Sequence, residues 1–200
     1  MSAVAMVSIA DNRRLAYTGS KNRLLSRDSD AWYTPQPYVD AARVVMGGID
    51  LDPFSSAKAN SVVGARRYLD KDYSAFVYPW RRNAREAPLR IWMNPPYSSG
   101  TVGKAVDRFL EHWNDGHIEQ GIVLTNNATD TRWFAALRLQ CVGICFTDHR
   151  IAFESPDGKR ISGNTRGQTF FYFGPQSCAA RFIEHFCVFG WTISKARGWQ

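Results

Sequence analysis

The sequence predicts a single α/β domain built on a mostly parallel sheet, with helices on both faces and an antiparallel edge. From residue 32 onward, short apolar strand segments alternate with helical segments, which is typical of parallel sheets. After residue 149 this alternation stops, and two apolar segments flank Pro156-Asp157-Gly158, a hairpin signal. A chain of 200 residues can bury one core without metals or disulfides. We therefore expect one catalytic domain over residues 31–200.

The first half of this domain is marked by clear helix boundaries. Proline suits an early helical position, glycine suits the end of a helix, and serine suits the position before one. The predicted elements are a helix that begins near Pro37 and ends at Gly47-Gly48, a strand over 49–54, a short helix capped by Ser55 or Ser56 and ended near Gly64, and a strand over 66–69.

The second half continues the alternation and then changes to a hairpin. A strand over 89–93 must stop at Asn94-Pro95-Pro96-Tyr97, because two prolines cannot continue a sheet ladder. The elements that follow are a helix over 102–113, a strand over 121–125, a helix from Thr131, a strand over 142–146, and hairpin strands over 150–153 and 169–173.

Charge and composition restrict the class of partner. The net charge of +7 and pI near 9.4 favour a polyanion, nucleic acid before a membrane surface. There is no apolar run of bilayer length and no secretory segment, so we expect a soluble, reduced, cytoplasmic protein. Residues 1–30 are polar and basic, and we interpret them as an arm that is disordered until it meets a partner.

A zinc site is the alternative interpretation of one cysteine-rich segment. Cys141, Cys145 and His149 recur at every fourth residue and could be zinc ligands. The apolar residues around them indicate a buried strand instead, in which thiols behave as small hydrophobic groups. We therefore predict no metal.

The tetrapeptide Asn94-Pro95-Pro96-Tyr97 suits the methylation of an amine conjugated with a base ring. Such an amine is a poor nucleophile because its lone pair is delocalised. The Asn94 amide oxygen and the Pro95 carbonyl can accept its two N–H groups and direct the lone pair at a methyl donor. Prolines would fix both acceptors in advance, and Tyr97 can stack on the base. The alternative is a turn with a core tyrosine.

Two further segments lie at positions where ligands bind in α/β proteins. Asp50-Leu51-Asp52-Pro53-Phe54 falls at a predicted strand end, where carboxylates can bind ribose hydroxyls or a cationic amino group. Its alternative is a helix-capping Asp52 with Phe54 in the core. Trp32-Tyr33-Thr34-Pro35 precedes the first helix and is, in isolation, only a turn.

Taken together and in this order, these segments resemble the phage N6-adenine DNA methyltransferases, a Dam-like family in the Rossmann-like class that uses S-adenosylmethionine. The resemblance covers most of residues 32–173, and Asn94-Pro95-Pro96-Tyr97 matches the catalytic tetrapeptide without a mismatch. It implies transfer of a methyl group to the exocyclic amine of an adenine flipped out of duplex DNA, in the cytoplasm of a bacterial host.

The resemblance also assigns cofactor residues. It implies that Thr34 and Pro35 hold the methionine part of S-adenosylmethionine, that Leu51-Asp52-Pro53-Phe54 forms the first cofactor strand and turn, and that Asp72 binds near its adenine. Tyr33 and Asp50, which adjoin these segments, are further candidates for cofactor binding. One departure is that the usual glycines after the first motif are replaced by Ser55-Ser56-Ala57-Lys58. Side chains leave less room for the backbone to approach the cofactor, so its methionine end should depend more on Thr34.

Contacts to DNA are predicted in the hairpin, since little chain remains for a separate recognition domain. Basic side chains suit phosphates, and Asn or Gln can read adenine edges. The residues are Arg150, Lys159, Arg160, Asn164, Arg166 and Gln168, with Asn164 and Gln168 as the candidate base readers.

Several alternatives remain open at this point. The loop over these residues could be an ordinary solvated loop. The same tetrapeptide also serves enzymes that methylate protein glutamine, guanine in RNA, or cytosine N4. A non-catalytic nucleic-acid-binding protein that keeps the fold is a further alternative. The sequence does not give the oligomeric state or the target sequence.

Overall fold

A computed structural model describes residues 33–72, 74–81, 83–98, 100–154 and 166–195. The helices in this part of the chain are α1 (Gln36–Met46), α2 (Ala57–Val63), α3 (Thr101–Asn114), α4 (Arg132–Gln140) and α5 (Ala179–Phe186), with 3-10 turns at Gln176–Cys178 and Cys187–Phe189. The strands are β1 (Leu51–Asp52), β2 (Arg67–Tyr68), β3 (Leu89–Met93), β4 (Ile118–Asn126), β5 (Gly143–Thr147), β6 (Gln168–Phe173) and β7 (Gly190–Ser194).

The strands form one seven-stranded sheet in the order β2-β1-β3-β4-β6-β5-β7. The first four in this order are parallel, β6 is antiparallel to both of its neighbours, and β7 is antiparallel to β5. This arrangement confirms the predicted α/β class, with its mostly parallel sheet and antiparallel edge. It matches a Rossmann-like methyltransferase fold.

Apolar side chains cover both faces of the sheet. On one face α3 and α4 pack on residues such as Ile91 and Phe171, and on the other α1 and α5 pack on residues such as Trp92 and Phe170. Neighbouring residues of a strand point to opposite faces. The strands therefore carry near-continuous apolar runs, as expected for strands buried on both sides.

The predicted helix boundaries are confirmed by the backbone. Gly47 and Gly64 end α1 and α2 with φ of 74° and 62°, in the left-handed region that favours glycine. The Ser56 hydroxyl accepts a hydrogen bond from the Ala59 amide at 3.0 Å and so caps α2. Strand β1 is shorter than predicted and ends before Pro53, which has no N–H to donate.

The predicted pairing of residues 150–153 with 169–173 is wrong. Strand β6 pairs with β5 instead, with Phe146 opposite Thr169. Ile151 and Phe153 are buried because their side chains enter the core beside α1, although this segment forms no strand. The apolar residues of this segment therefore indicate burial in the core and not pairing with another strand. The predicted turn Pro156-Asp157-Gly158 lies outside the described residues.

Candidate active site

Strands are added to the sheet in opposite directions from β1 and from β3, so a topological switch point lies between these two parallel strands. From β1 the chain goes outward to β2, whereas from β3 it goes to β4 on the other side. Ligands of open α/β sheets bind beyond the carboxyl ends of the strands at such a switch point. Asp52 is the last residue of β1 and Asn94 follows β3 directly. The two predicted loops thus flank the position where a ligand crevice is expected.

The Asn94 side chain is held from two sides. Its Nδ2 donates to Oγ1 of Thr34 at 3.2 Å, and the Tyr97 hydroxyl donates to its Oδ1 at 3.0 Å. The same hydroxyl lies 3.2 Å from the carbonyl oxygen of Leu124 in β4. Burial raises the pKa of Tyr97, so the phenol stays protonated and remains a donor. The Asn94-Pro95-Pro96-Tyr97 segment and Thr34 are therefore brought together.

The segment that carries Thr34 is itself fixed by the chain around it. Tyr33 forms an antiparallel bridge with Glu154, with N···O distances of 2.8 and 3.0 Å. The Tyr33 hydroxyl accepts from Ser56 at 3.4 Å, and Nζ of Lys58 lies 5.8 Å from the centre of its ring. Pro35 occupies the N-cap position of α1. Residues 33–35 thus lie between the loop after β1 and Asn94.

Asp52 is a buried carboxyl group that has no ionic partner among the described residues. It is 3% exposed, and its Oδ1 accepts from the Phe54 amide at 3.2 Å. Burial raises the pKa of Asp52 to about 7, although hydrogen bonds from Ser55 and Phe54 oppose the rise. No basic side chain of the described residues forms an ion pair with it. A cationic group in the crevice would compensate this carboxylate.

Asp50 lies at the opposite end of β1, so the expectation that both aspartates lie at the carboxyl end of the strand is wrong for Asp50. Its carboxylate accepts from Nε of Arg90 at 2.8 Å and from the Arg90 amide at 2.9 Å, and it lies 3.3 Å from Arg66. Burial would raise the pKa of Asp50, but the hydrogen bonds and charge of Arg90 outweigh it and lower the pKa. Asp50 therefore joins β1 to β3 away from the crevice.

The other predicted cofactor residues lie on the crevice side of the sheet. Pro53 is buried directly after β1, and Phe54 packs on Phe76 with ring centres 5.2 Å apart. Asp72 lies in an exposed turn after β2, where its amide donates to Oδ1 of Asp70 at 3.0 Å. Its exposed carboxylate can face a ligand from this side.

The predicted DNA contacts separate into exposed and buried groups. Arg150 and Arg166 are exposed, on either side of the loop between β5 and β6. Gln168 is wholly buried: its Oε1 accepts from the Ile151 amide at 3.0 Å and its Nε2 donates to the Arg166 carbonyl at 2.6 Å. The prediction that Gln168 reads a base is wrong, because both ends of its amide satisfy backbone groups. Lys159, Arg160 and Asn164 lie outside the described residues.

Within the cysteine-rich segment, Cys145 lies in strand β5, as expected, whereas Cys141 is the C-cap residue of α4. Cys141 and Cys145 are buried, while His149 contacts the Tyr38 hydroxyl at 2.6 Å and Asp148 at 2.7 Å. Across the described ranges, no group of three or more His, Cys, Asp or Glu side chains could hold a metal ion. Nor does this part of the chain contain a helix long and apolar enough to cross a bilayer.

Sequence reasoning missed the contacts that assemble the site. The hydrogen bond from Asn94 to Thr34 joins residues 60 positions apart, and the bridge from Tyr33 to Glu154 spans still more of the chain. No local pattern marks such pairs. The end of β4, which contributes the Leu124 carbonyl, was identified only as a strand.

The strand order and an Asn-Pro-Pro-Tyr loop at the switch point define the class as a Rossmann-like methyltransferase acting on a conjugated amine. Residues 21–185, most of the 200-residue chain, match the family described as DNA N-6-adenine-methyltransferase (Dam). The chain belongs to this family. Among curated proteins, no sequence matches. The protein is thus a DNA N6-adenine methyltransferase, and the methyl donor of such enzymes is S-adenosylmethionine.

Proposed function

We propose that the loop after β3 binds the N6 amine of an adenine flipped out of DNA, while the loops after β1 and β2 bind S-adenosylmethionine. The catalytic loop comprises Asn94, Pro95, Pro96 and Tyr97, and the proposed cofactor residues are Tyr33, Thr34, Pro35, Asp52, Pro53, Phe54 and Asp72. Asp50 is left out, because Arg90 engages its carboxylate. The observation that carries the proposal is the Asn94 amide, held between Thr34 and Tyr97 at the switch point.

The protein activates the amine by accepting its N–H groups. Oδ1 of Asn94 already accepts from Tyr97, and an amide oxygen has two lone pairs, so it can also bind an N–H of the base. The Pro95 carbonyl accepts the second N–H. Two accepted hydrogen bonds favour a tetrahedral nitrogen whose lone pair is available for attack. The fixed orientation of Asn94 means that little reorganisation is needed when the adenine arrives.

Asp52 is the residue that suits the cationic end of the cofactor. When bound, S-adenosylmethionine supplies an electrophilic methyl group on a sulfonium, and its methionine part carries an ammonium group. A buried carboxylate is stabilised by a cationic partner, which fits the absence of an ion pair to Asp52 in the described chain. Because the Thr34 hydroxyl contacts Asn94, the methionine part of the cofactor would lie beside the N6 amine of the adenine.

Contact with DNA is proposed for the loop between β5 and β6. Arg150, Lys159, Arg160 and Arg166 would neutralise phosphates, and Asn164 would contact a base. Removal of the adenine from the stack costs a few kcal/mol, and stacking on Tyr97 would offset part of this cost. We also propose residues 31–200 as one catalytic domain preceded by a basic arm over 1–30, with action on DNA in the cytoplasm.

The test is methyl transfer by the full chain from labelled S-adenosylmethionine to duplex DNA, followed by mass spectrometry of the nucleosides. The wild type is expected to yield N6-methyladenine. Asn94→Ala should lower turnover by roughly a hundredfold or more, with cofactor affinity in calorimetry nearly unchanged. Asn114→Ala is the matched control, because Asn114 is exposed at the far end of α3, and it should retain full activity.

Three outcomes would contradict the proposal in different ways. Full activity of Asn94→Ala would remove the proposed amine activation. Methylation of cytosine N4 or of RNA alone would replace the substrate. Cofactor binding by a folded wild type without any methyl transfer would identify a non-catalytic protein that keeps the fold.

A further inference from the structure

The loop after β4 lies beside the catalytic loop and carries an exposed amide. Strand β4 is the direct neighbour of β3 in the sheet, and its Leu124 carbonyl lies 3.2 Å from the Tyr97 hydroxyl. Asn127 comes three residues later, just beyond the end of the strand, and is exposed. At about 3.3 Å per residue, Asn127 lies roughly 10 Å from the level of Leu124. That distance suits a base near the flipped adenine rather than the adenine itself.

The side chains of Asn127 and Arg150 both lie close to Gly167. The backbone N–H of Asn127 donates to the Gly167 carbonyl at 2.8 Å, which fixes the loop against the start of β6. A methyl group built on Gly167 would lie 2.9 Å from Nη1 of Arg150, 3.5 Å from Cβ of Asn127 and 3.8 Å from its Nδ2. Two exposed polar side chains from separate loops therefore share the surface above a residue that has no side chain.

We propose that Asn127 is a specificity-determining residue, which reads a base pair next to the target adenine while Arg150 beside it holds the DNA backbone. An asparagine amide can pair with the N6 and N7 edge of adenine, whereas a guanidinium binds phosphate. Gln168 cannot perform the reading, because its amide is buried and bonded to the backbone. This inference rests on the proposed placement of the target amine at Asn94.

The surroundings of Asn127 favour such a role over a purely structural one. Its backbone amide makes the contact with Gly167, so the loop is anchored without the side chain. The side chain is left exposed at the carboxyl edge of the sheet, on the same edge as Asn94 and Tyr97. Replacing it should therefore change recognition while the fold and the cofactor crevice stay intact.

The experiment uses the full chain and a pool of duplexes that carry a central adenine flanked by three random base pairs on each side. After partial methylation, sequencing that detects N6-methyladenine gives the relative rate for each flanking base. In Asn127→Ala the preference at one flanking position is expected to fall by about fivefold to 150-fold, which corresponds to the roughly 1–3 kcal/mol of a good base contact. Arg150→Ala should instead lower the rates of all duplexes alike, and Asn114→Ala should change neither.

The outcomes separate this inference from the proposed function. If Asn127→Ala keeps every flanking preference of the wild type, or loses rate uniformly in all contexts, the inference is overturned. The same holds if the wild type shows no preference at any flanking position. Should Asn127→Ala fail to fold by circular dichroism, Asn127→Ser is judged by the same criteria. Full activity of Asn94→Ala, by contrast, would overturn the proposed active site whatever Asn127 does.

Discussion

Replacing Asp52 by asparagine should stabilise the ligand-free protein while weakening its binding of the cofactor. Asp52 is buried without an ionic partner in the described residues, and burial raises its pKa to about 7. Asparagine has the same shape and can still accept the hydrogen bond from Phe54. The substitution therefore removes the cost of a buried charge and leaves most of the packing unchanged.

The magnitude follows from the two pKa values. A carboxyl group with a pKa of 3.8 in the unfolded chain and about 7 in the folded protein binds more protons when folded. Its contribution is fully present below about pH 4, is lost as the pH rises towards 7, and then stays constant. At 1.36 kcal/mol per pH unit, the total loss is about 4 kcal/mol. The stability gained by Asp52→Asn should accordingly be about 2 to 3 kcal/mol larger at pH 8 than at pH 5.

Urea denaturation of both proteins at pH 5 and pH 8, without cofactor, measures this difference. The control is Asp50→Asn, which removes an ion pair with Arg90 and should destabilise the protein. Calorimetry with S-adenosylmethionine should show weaker binding to Asp52→Asn. A free-energy difference between Asp52→Asn and wild type that does not change with pH would refute the buried-charge argument. Unchanged cofactor affinity would refute the assigned binding role.

Three further predictions concern the loop proposed to bind DNA and a histidine of α3. Gln168→Leu should lower the free energy of unfolding by about 1–3 kcal/mol, because the Ile151 amide loses its acceptor; unchanged stability in urea would contradict the buried role. Arg150→Ala and Arg166→Ala should each lower the magnitude of the negative slope of log affinity against log salt by about 0.9 on duplex DNA, with unchanged affinity for the cofactor; an unchanged slope would exclude the phosphate contact. Burial lowers the pKa of His112 to about 4, so stability present above about pH 6.5 should be lost as the pH falls towards 4, and His112→Phe should reduce this loss in urea titrations at pH 4.5 and 7.5.

Local signals in the sequence were enough to predict much of the fold. Caps such as Ser56 and Gly64 act on backbone groups within a few residues of themselves, and the two prolines after β3 end that strand wherever it lies in the sheet. The position of Asn94 at the carboxyl end of a strand followed from this alternation of strands and helices, whereas its position at the switch point depends on the strand order. These features depend on near neighbours in the chain, so one sequence suffices to find them.

The remaining features depend on partners that are distant in sequence. Asp50 and Asp52 are chemically alike and two residues apart, yet Arg90 engages only the first, because it faces the beginning of β3. The side chain of Gln168 could in principle bind the edge of a base. In the folded chain, however, its amide forms hydrogen bonds with the backbone of Ile151 and Arg166 instead. Whether a polar side chain faces a ligand or the backbone depends on the folded chain, not on residue type.

The two anchor points of the loop between β5 and β6 have a consequence for engineering. Glu154 is bridged to Tyr33 on one side, and Gln168 fixes the start of β6 on the other. The chain on both sides of residues 155–165 is therefore fixed by contacts among residues that the structure describes. This stretch can be tested as an exchangeable cassette: segments from relatives with other target sequences could be spliced between Glu154 and Arg166, and the retained methylation chemistry would report whether target choice travels with the insert.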